Sequence, residues 1–462
     1  MAQAAKLFHS RDSEAETLNR RVRPSEDQRA YLLKHKDELE VWFMADMADL
    51  GMEVSTFIQG SYRFHTLIKP LVSGDEYDVD LGLYFRGKSY ADVEPLDLRE
   101  KVQKSLIRYG EGCDETKNIE EPKERCCRAT YNESFHIDVP VYHETPAGQI
   151  VRLATLSNGW EKSDPESMLD WFGDAIEGIS SDRAMIRRLI RYMKAWAALT
   201  FRTCGTQPSS LMLTILVVDA CQHEVAEDDE DDDALEKVVR TIYERLVLDR
   251  SVPNPIAGDS DSDVNRLSEN DHIIFVEQLA KFLDAAARAN ECDSPAEAAV
   301  VWSEVFSYVF PLPDDLGVLT TASNGVQVAS PRFLIRMYQL DVKTLDRTYE
   351  DQVPHARIDE WMRFEMANPE VIPHGAKIKW VVRNSGAEAM AISDLGHSSD
   401  DEGDFHQLER AAYRGRHYMD CEVWLHGRLR SLTRVPVNID RIVTQSRVSP
   451  RRPAYTQLMK RR

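Results

Sequence analysis

Apolar positions recur at helical spacing between about Ser25 and Leu50 (Tyr31, Leu32, Leu39, Val41, Trp42, Met44, Met47, Leu50). Gly51 follows as a stop signal, so the pattern predicts an amphipathic helix. The period then changes. Short alternating or apolar runs at 54–59, 77–85, 126–132 and 135–143, each bounded by glycine, proline or charged turns, predict strands. From Pro165 the helical period returns, over about 181–199, 210–221, 236–247 and 271–290. After Pro354 alternation resumes at 377–389, 417–428 and 434–439, with a polar loop expected at 397–404. The expected fold class is α+β. A sheet region with its opening helix covers 1–165, a helical region 166–353, and a small β-rich region 354–445. Residues 446–462, basic and proline-containing, are expected to form a mobile tail. Two acidic runs, EDDEDDD at 227–233 and DSDSD at 259–263, read as solvated surface loops rather than metal sites.

Composition narrows the partners. A chain of 462 residues is long enough for several domains and a large core. Its 57 basic and 78 acidic residues leave a formal charge of −21, which repels a polyanion over most of the surface. Coating of duplex DNA is thereby excluded, and phosphate chemistry would call for metal ions. No apolar run approaches the ~18 residues of a membrane span. The first residues also lack the apolar core and cleavage site of a secretion signal, so a soluble, cytoplasmic protein without membrane contact is expected. Seven cysteines (113, 126, 127, 204, 221, 292, 421) at irregular spacing, with no C-x-x-C pair, read as free thiols and not as a zinc site.

The segment richest in chemistry runs from Gly60-Ser61 through Asp78-Val79-Asp80 to Asp138. In a strand alternate side chains share a face, so Asp78 and Asp80 point one way while Val79 and Leu81 enter the core. Two carboxylates side by side repel unless a cation compensates them, and hard divalent ions take oxygen ligands of this kind. A third aspartate from a neighbouring strand would complete a two-metal site for phosphoryl-type transfer. Gly60-Ser61 follows a predicted strand. Glycine lets backbone approach a phosphate closely, and the Ser61 hydroxyl and following N–H groups can bind its oxygens. Either element alone is weak evidence; their order along the chain is the signal.

In that order, GSYRFHTLIKP, EYDVDLGLYF and FHIDVPVY resemble the nucleotidyltransferases of DNA polymerase beta type. More narrowly they resemble the bacterial cGAS/DncV-like enzymes, the CD-NTases of anti-phage CBASS systems, over roughly 25–345. The resemblance implies a polymerase-beta-like nucleotidyltransferase core over 1–165 and a helical domain closing the nucleotide cleft over 166–353. It implies that Gly60 and Ser61 hold the donor triphosphate. It further implies that Asp78 and Asp80 bind two Mg²⁺ ions, with Mn²⁺ as the alternative, and that Asp138 completes the metal site and assists attack by the acceptor hydroxyl. RRLIRYMKAWAAL followed by PSSLMLTILVV resembles the family's lysine on one helix and serine opening the next. By that match Lys194 and Ser210, or Ser209, contact donor phosphates. Read from the residues alone, a lysine such as Lys194 in an amphipathic helix is more often a solvated or snorkelling side chain, and Ser209 is equally a helix N-cap, a role compatible with phosphate binding. The implied activity joins NTPs, ATP and/or GTP, into a cyclic di- or trinucleotide second messenger for anti-phage defence. Pyrophosphate is released, and the product acts on an effector encoded elsewhere.

KWVVRNSGAEA, YRGRHYMDCEVWLHGR and RVPVNI resemble the adenylyl/guanylyl-cyclase and SMODS-associated sensor domain. That resemblance implies a nucleotide or other ligand. Arg410, Arg414, Arg416, Arg428 and Arg430 make the region locally basic and favour an anionic ligand. Trp380 and Trp424 read as sandwich core. His417 and Cys421, on one strand face, read as packing groups and not metal ligands. His65, His136 and Tyr142 read as packing or substrate-positioning groups, since a metal-activated hydroxyl needs no histidine base. Three alternatives stay open: a nucleotidyltransferase modifying RNA, protein or a small molecule; a ligand-sensing protein with an inert core; and a scaffold. The net charge speaks against RNA as acceptor, and three retained aspartates speak against the other two.

Overall fold

The computed structural model describes residues 4–440 except 14, 73, 133–134, 146–149, 180–181, 227, 257–261, 314–315, 317, 321–329 and 340–341. The expected tail at 446–462 lies outside the described residues, as does most of the acidic run at 259–263.

Two short helices, α1 (Ala5–Phe8) and α2 (Leu18–Val22), precede α3 (Glu26–Asp46). Helix α3 starts where it does because Ser25 and Gln28 form a reciprocal capping box, and the chain leaves the helical path at Gly51, whose φ is +64°. Its buried stripe is Gln28, Leu32, His35, Leu39 and Phe43. Val41 and Met44, read from the sequence as part of the buried face, are 71% and 47% exposed. The true stripe carries a glutamine and a histidine, which hydropathy alone passes over.

An eight-stranded mixed sheet follows, made of β1 (Glu53–Gln59), β2 (Tyr77–Arg86), β3 (Thr116–Ile119), β4 (Cys127–Tyr131), β5 (Phe135–Val139), β6 (Val141–Glu144), β7 (Val151–Ala154) and β8 (Trp160–Lys162). Central β2 is antiparallel to β1 and parallel to β5 and β6, two segments of one extended stretch interrupted at Pro140. The one-turn helix α4 (Gly60–Arg63) leaves β1, and α5 (Pro95–Gly112) joins α3 in covering one face of the sheet. Helix α5 is missing from the sequence reading, although Leu98, Val102, Leu106 and Tyr109 recur at helical spacing behind Pro95.

Helices α6 (Pro165–Glu177), α7 (Arg183–Thr200), α8 (Ser210–Glu224), α9 (Asp231–Leu248), α10 (Glu269–Asn290) and α11 (Pro295–Phe306) enclose a second core. Phe8, Leu18 and Val22 belong to this core, so the first two helices pack with the helical region and not with the sheet region to which 1–165 was assigned. The acidic run at 227–233 also departs from expectation. Asp231 and Asp232 open α9 buried, at 3% and 0% exposure. Both Asp231 oxygens accept from Arg188 at 2.7 Å, Tyr192 Oη donates to the same carboxylate, and Asp232 accepts from the backbone N–H of Ala4. A charge run reads as solvated only when no buried partner awaits it.

The C-terminal region begins earlier than residue 354. Strands β10 (Phe333–Tyr338) and β11 (Leu345–Glu350) form an antiparallel four-stranded sheet with β13 (Trp361–Met366) and β16 (His406–Arg410). Facing it are β12 (Val353–Arg357), β14 (Lys377–Arg383), β15 (Gly396–Asp400), β17 (Gly415–Leu425) and β18 (Arg428–Asp440), with β9 (Val318–Thr320) added on β18 and the short helix α12 (Ala387–Ala391) between β14 and β15. The predicted polar loop at 397–404 is in its first half strand β15, paired with β14. Its polar residues alternate with half-buried ones at a sheet edge, a pattern that hydropathy alone reads as loop.

The β-rich region is bolted to the rest by buried charges. Asp420, fully buried, accepts from Arg383 and Arg434, and these arginines also donate to the carbonyls of Ser307, Phe310 and Pro313. Arg21 of α2 donates to the carbonyls of Tyr308, Asn384 and Leu395. Beside it the ammonium of Lys69, 1% exposed, meets the thioether of Met390 on α12.

Candidate active site

Register builds the site. Val79 and Leu81 are buried against the layer of α3 and α5, while Asp78 and Asp80 project from the opposite face of β2. On one side of β2, the parallel strand β5 sets His136 beside Asp78 and Asp138 beside Asp80. On the other side β1 sets Gln59 beside Asp80, and the Gly60-Ser61 turn begins at that point. Gly60 has φ +65°, and a β-carbon there would lie 2.2 Å from Asp80 Oδ2. Only glycine lets the turn pass so close to the carboxylate. The five residues singled out in the sequence are thus neighbours.

Their electrostatics show a deficit of positive charge. The Asp80 carboxyl is held well above the usual carboxylate range, first by burial and then by Asp78 and Asp138, with Arg128 and Lys194 opposing. Arg128, absent from the sequence reading, faces Asp138 from β4 and binds it bidentately, Nη2 donating to Oδ2 at 2.7 Å and Nε to Oδ1. A lone arginine in an apolar strand was the available signal, but its partner is set by register, which the sequence does not display.

Helix α7 grips the loop after the glycine-serine turn. Lys194 Nζ donates to Thr66 Oγ1 at 3.0 Å, and Arg191 donates to the carbonyl of His65 at 2.7 Å and to Asn19 Oδ1. Burial lowers Lys194 to about 8, while Asp78 and Asp80 pull it upward, so its ammonium faces the aspartates electrostatically. Arg191 is the second residue the sequence reading missed. Ser209 and Ser210, expected on donor phosphates, are both exposed; Ser209 caps α8 by accepting from Met212 N–H, and neither hydrogen-bonds to the aspartates. Tyr142 packs against Tyr84 with ring centroids 4.7 Å apart, and its hydroxyl accepts from Gln59. His136 is buried beside Glu76, and His65 is exposed.

Three aspartates with an all-oxygen donor set and a raised Asp80 carboxyl have the chemistry that a hard divalent cation fits. Binding one through Asp138 requires that carboxylate to leave or share Arg128, which holds both its oxygens. Among the described residues, the three His, Cys, Asp or Glu ligand atoms that already lie within 4.8 Å of one another are instead those of His35, Glu38 and Cys113.

In the C-terminal region Trp380 is core at 1% exposure, whereas Trp424 is half-buried, its Nε1 bound to Glu422 and its ring under the Lys379 ammonium. The local basicity is largely spent on partners. Arg410 pairs with Asp359, Arg414 with Glu388 and Arg428 with Asp284. All seven cysteines are free thiols.

A polymerase-beta-type sheet carrying a glycine-serine turn against three strand-borne aspartates defines a nucleotidyltransferase. Residues 54–142 match the nucleotidyltransferase domain of the cyclic GMP-AMP synthase DncV-like family, and residues 329–440 match the adenylyl/guanylyl and SMODS C-terminal sensor domain. The chain accordingly carries a DncV-like nucleotidyltransferase domain and, after it, a C-terminal sensor domain; DncV-like nucleotidyltransferases generally use a divalent metal. The chain is 26% identical over 424 residues, covering 91% of this chain and 93% of the other, to a cyclic GMP-AMP synthase of Escherichia albertii. A c-di-GMP synthase of Roseivirga ehrenbergii is 28% identical over 132 residues, 27% of this chain and 32% of the relative. The Vibrio cholerae DncV structure with the linear intermediate pppA(3′,5′)pG shares the fold. Its TM-score is 0.58 at 18% identity, covering 67% of this chain and 97% of that one. Among the described residues no helix is long and apolar enough to cross a membrane.

Proposed function

We infer that the chain joins two or three nucleoside triphosphates, ATP and/or GTP, into a cyclic oligonucleotide and releases pyrophosphate. The observation that carries this reading is the contact of Gly60 with Asp80 between Asp78 and Asp138. Gly60 and Ser61 hold the donor triphosphate, whose approach the missing side chain of Gly60 permits. Asp78, Asp80 and Asp138 hold Mg²⁺, with Mn²⁺ able to substitute, and the bound cation supplies Lewis-acid activation of the acceptor hydroxyl and charge neutralisation at the leaving phosphates. Lys194 and Arg191 keep the 65–66 backbone fixed, so that the turn presents its N–H groups in one geometry. Lys194 also offers the incoming phosphates a cation, and Ser209 and Ser210, at the start of α8, contact them if the helical region closes on the donor. Relatives named for cyclic GMP-AMP and c-di-GMP support a cyclic product. In this reading the domains divide as a nucleotidyltransferase core, a helical domain over the cleft and the sensor domain. The product serves anti-phage defence through a separate effector, inside the cytoplasm.

Incubation with the four NTPs and Mg²⁺, then phosphatase and mass spectrometry, tests the reading. Phosphatase-resistant cyclic oligonucleotides are expected. Nucleotides attached instead to an added RNA, protein or small molecule would replace the reading with the alternative transferase.

A further inference from the structure

Helices α3 and α5 cover the face of the sheet opposite the aspartates. Where the end of α5 meets α3, a nitrogen, an oxygen and a sulfur come together: ligand atoms of His35, Glu38 and Cys113 lie within 4.8 Å of one another. His35 and Glu38 are three apart on α3 and so share a side of the helix. Cys113 closes α5, its N–H bonded to the carbonyl of Gly110 and its carbonyl to the N–H of Thr116. Two further bonds fix these elements against each other. Tyr31 Oη donates to Glu115 at 2.8 Å, and Trp42 Nε1 donates to Ser105 Oγ at 3.0 Å. The sequence reading looked for paired cysteines and passed over this cluster, whose ligands come from two separate helices.

The His35 ring is fully buried, walled by Tyr31, Tyr131 and Phe135 at centroid distances of 4.6, 4.8 and 6.2 Å. Its Nδ1 meets Glu38 Oε2 at 2.9 Å, while Nε2 has no hydrogen-bond partner among the described residues. Glu38 is exposed and Cys113 half-buried, which leaves a path from solvent to the cluster. The Tyr109 hydroxyl lies beside the Cys113 thiol and accepts from Tyr131 at 3.5 Å, so its own proton can turn to a sulfur anion. We propose that His35, Glu38 and Cys113 bind a divalent ion of zinc type, with water as the fourth ligand. A tetrahedral zinc ion lies about 2.0–2.3 Å from such atoms and spaces them roughly 3.3–3.8 Å apart. The 2.9 Å pair and the 4.8 Å outer limit bracket that spacing, so small side-chain shifts complete the site. Nitrogen and sulfur donors suit a borderline-soft ion and not Mg²⁺, so this site and the aspartates take different metals. On binding, the thiol proton passes to solvent and the imidazole carries its proton on Nε2. The ion clips α5 to α3 behind the catalytic sheet. None of this depends on which product the catalytic site makes.

Equilibrium dialysis of the metal-stripped full chain against Zn²⁺, with excess Mg²⁺ present to occupy the aspartates, tests the site. One zinc per chain is expected to bind. Co²⁺ in its place is expected to show thiolate-to-cobalt charge-transfer absorption and the visible bands of a four-coordinate ion. Glu38→Gln and Cys113→Ser, both outside the buried core, are each expected to weaken zinc binding by about tenfold or more with circular dichroism unchanged. Cys113→Ser is also expected to lose the charge-transfer absorption. Asp78→Asn is expected to bind zinc as the parent chain does. Failure of the parent chain to bind zinc would overturn the proposal. So would binding that both ligand variants retain, or that Asp78→Asn loses, since the ion would then sit on other groups or on the catalytic aspartates.

Discussion

Gly60 and Asp80 stand so close that a single methyl group cannot be placed between them, a β-carbon at Gly60 falling 2.2 Å from Oδ2. Gly60→Ala must therefore displace either the turn or the carboxylate, and the positive φ adds backbone strain. A misplacement of ~1 Å at a reacting centre costs about 10²-fold in rate. Pyrophosphate release by Gly60→Ala is expected to fall by at least that factor, with circular dichroism unchanged.

Asp80 is expected to trade stability for function. A carboxyl whose folded pKa lies above its ordinary 3.8 takes up protons more readily in the folded state. Its stability penalty is thus absent below that ordinary value and grows as pH rises toward the folded one. At pH 7 and without metal, Asp80→Asn should melt higher than the parent chain. Added Mg²⁺ should raise the parent's melting temperature and leave that of the variant unmoved. Thermal denaturation with EDTA and with Mg²⁺ reads both effects.

Lys69 gives the opposite slope. Burial, aided by Arg21, lowers its ammonium from 10.5 to about 7. Between those values the unfolded chain binds a proton that the folded chain lacks, so stability rises with pH across about 7 to 10 and is level below. The contribution reaches about 1.4 kcal/mol per pH unit at most. Lys69→Met should remove it, which urea denaturation at pH 7, 8 and 9 will show as a flatter dependence than that of the parent chain.

Arg21 ties three segments together through the carbonyls of Tyr308, Asn384 and Leu395. Arg21→Met takes the arginine from the carbonyls of Tyr308 and Asn384, at about 1–3 kcal/mol for each group left unsatisfied, while that of Leu395 keeps the Asn384 N–H. Faster amide exchange is expected in residues 383–395 and 307–313, with protection in β2 and β5 retained. Equal loss across β2 would show that the arginine supports the whole fold and not this junction.

The sequence displayed those parts of the fold that depend on local period and on chain order. Helices α7, α8 and α10 and strands β1, β2 and β17 lie where periodicity puts them, and Asp78 and Asp80 share the face that alternation assigns. What it hid depends on pairing between distant segments. Arg128 acquires its role only from the register of β4 against β5, and Asp231 is buried only because Arg188 and Tyr192 come from another helix. The stripe of α3 was misread because His35 and Gln28 occupy core positions that hydropathy scores as polar. The early start of the β-rich region was missed because β10 and β11 precede the proline taken as its boundary.

The most direct test of the aspartate site is anomalous diffraction from crystals grown with Mn²⁺ and a non-hydrolysable NTP. Manganese is expected in contact with Asp78 and Asp80, with Asp138 turned from Arg128 toward the ion and the triphosphate on Gly60 and Ser61. Manganese bound elsewhere, with the Arg128 pair to Asp138 intact beside an occupied nucleotide site, would contradict it.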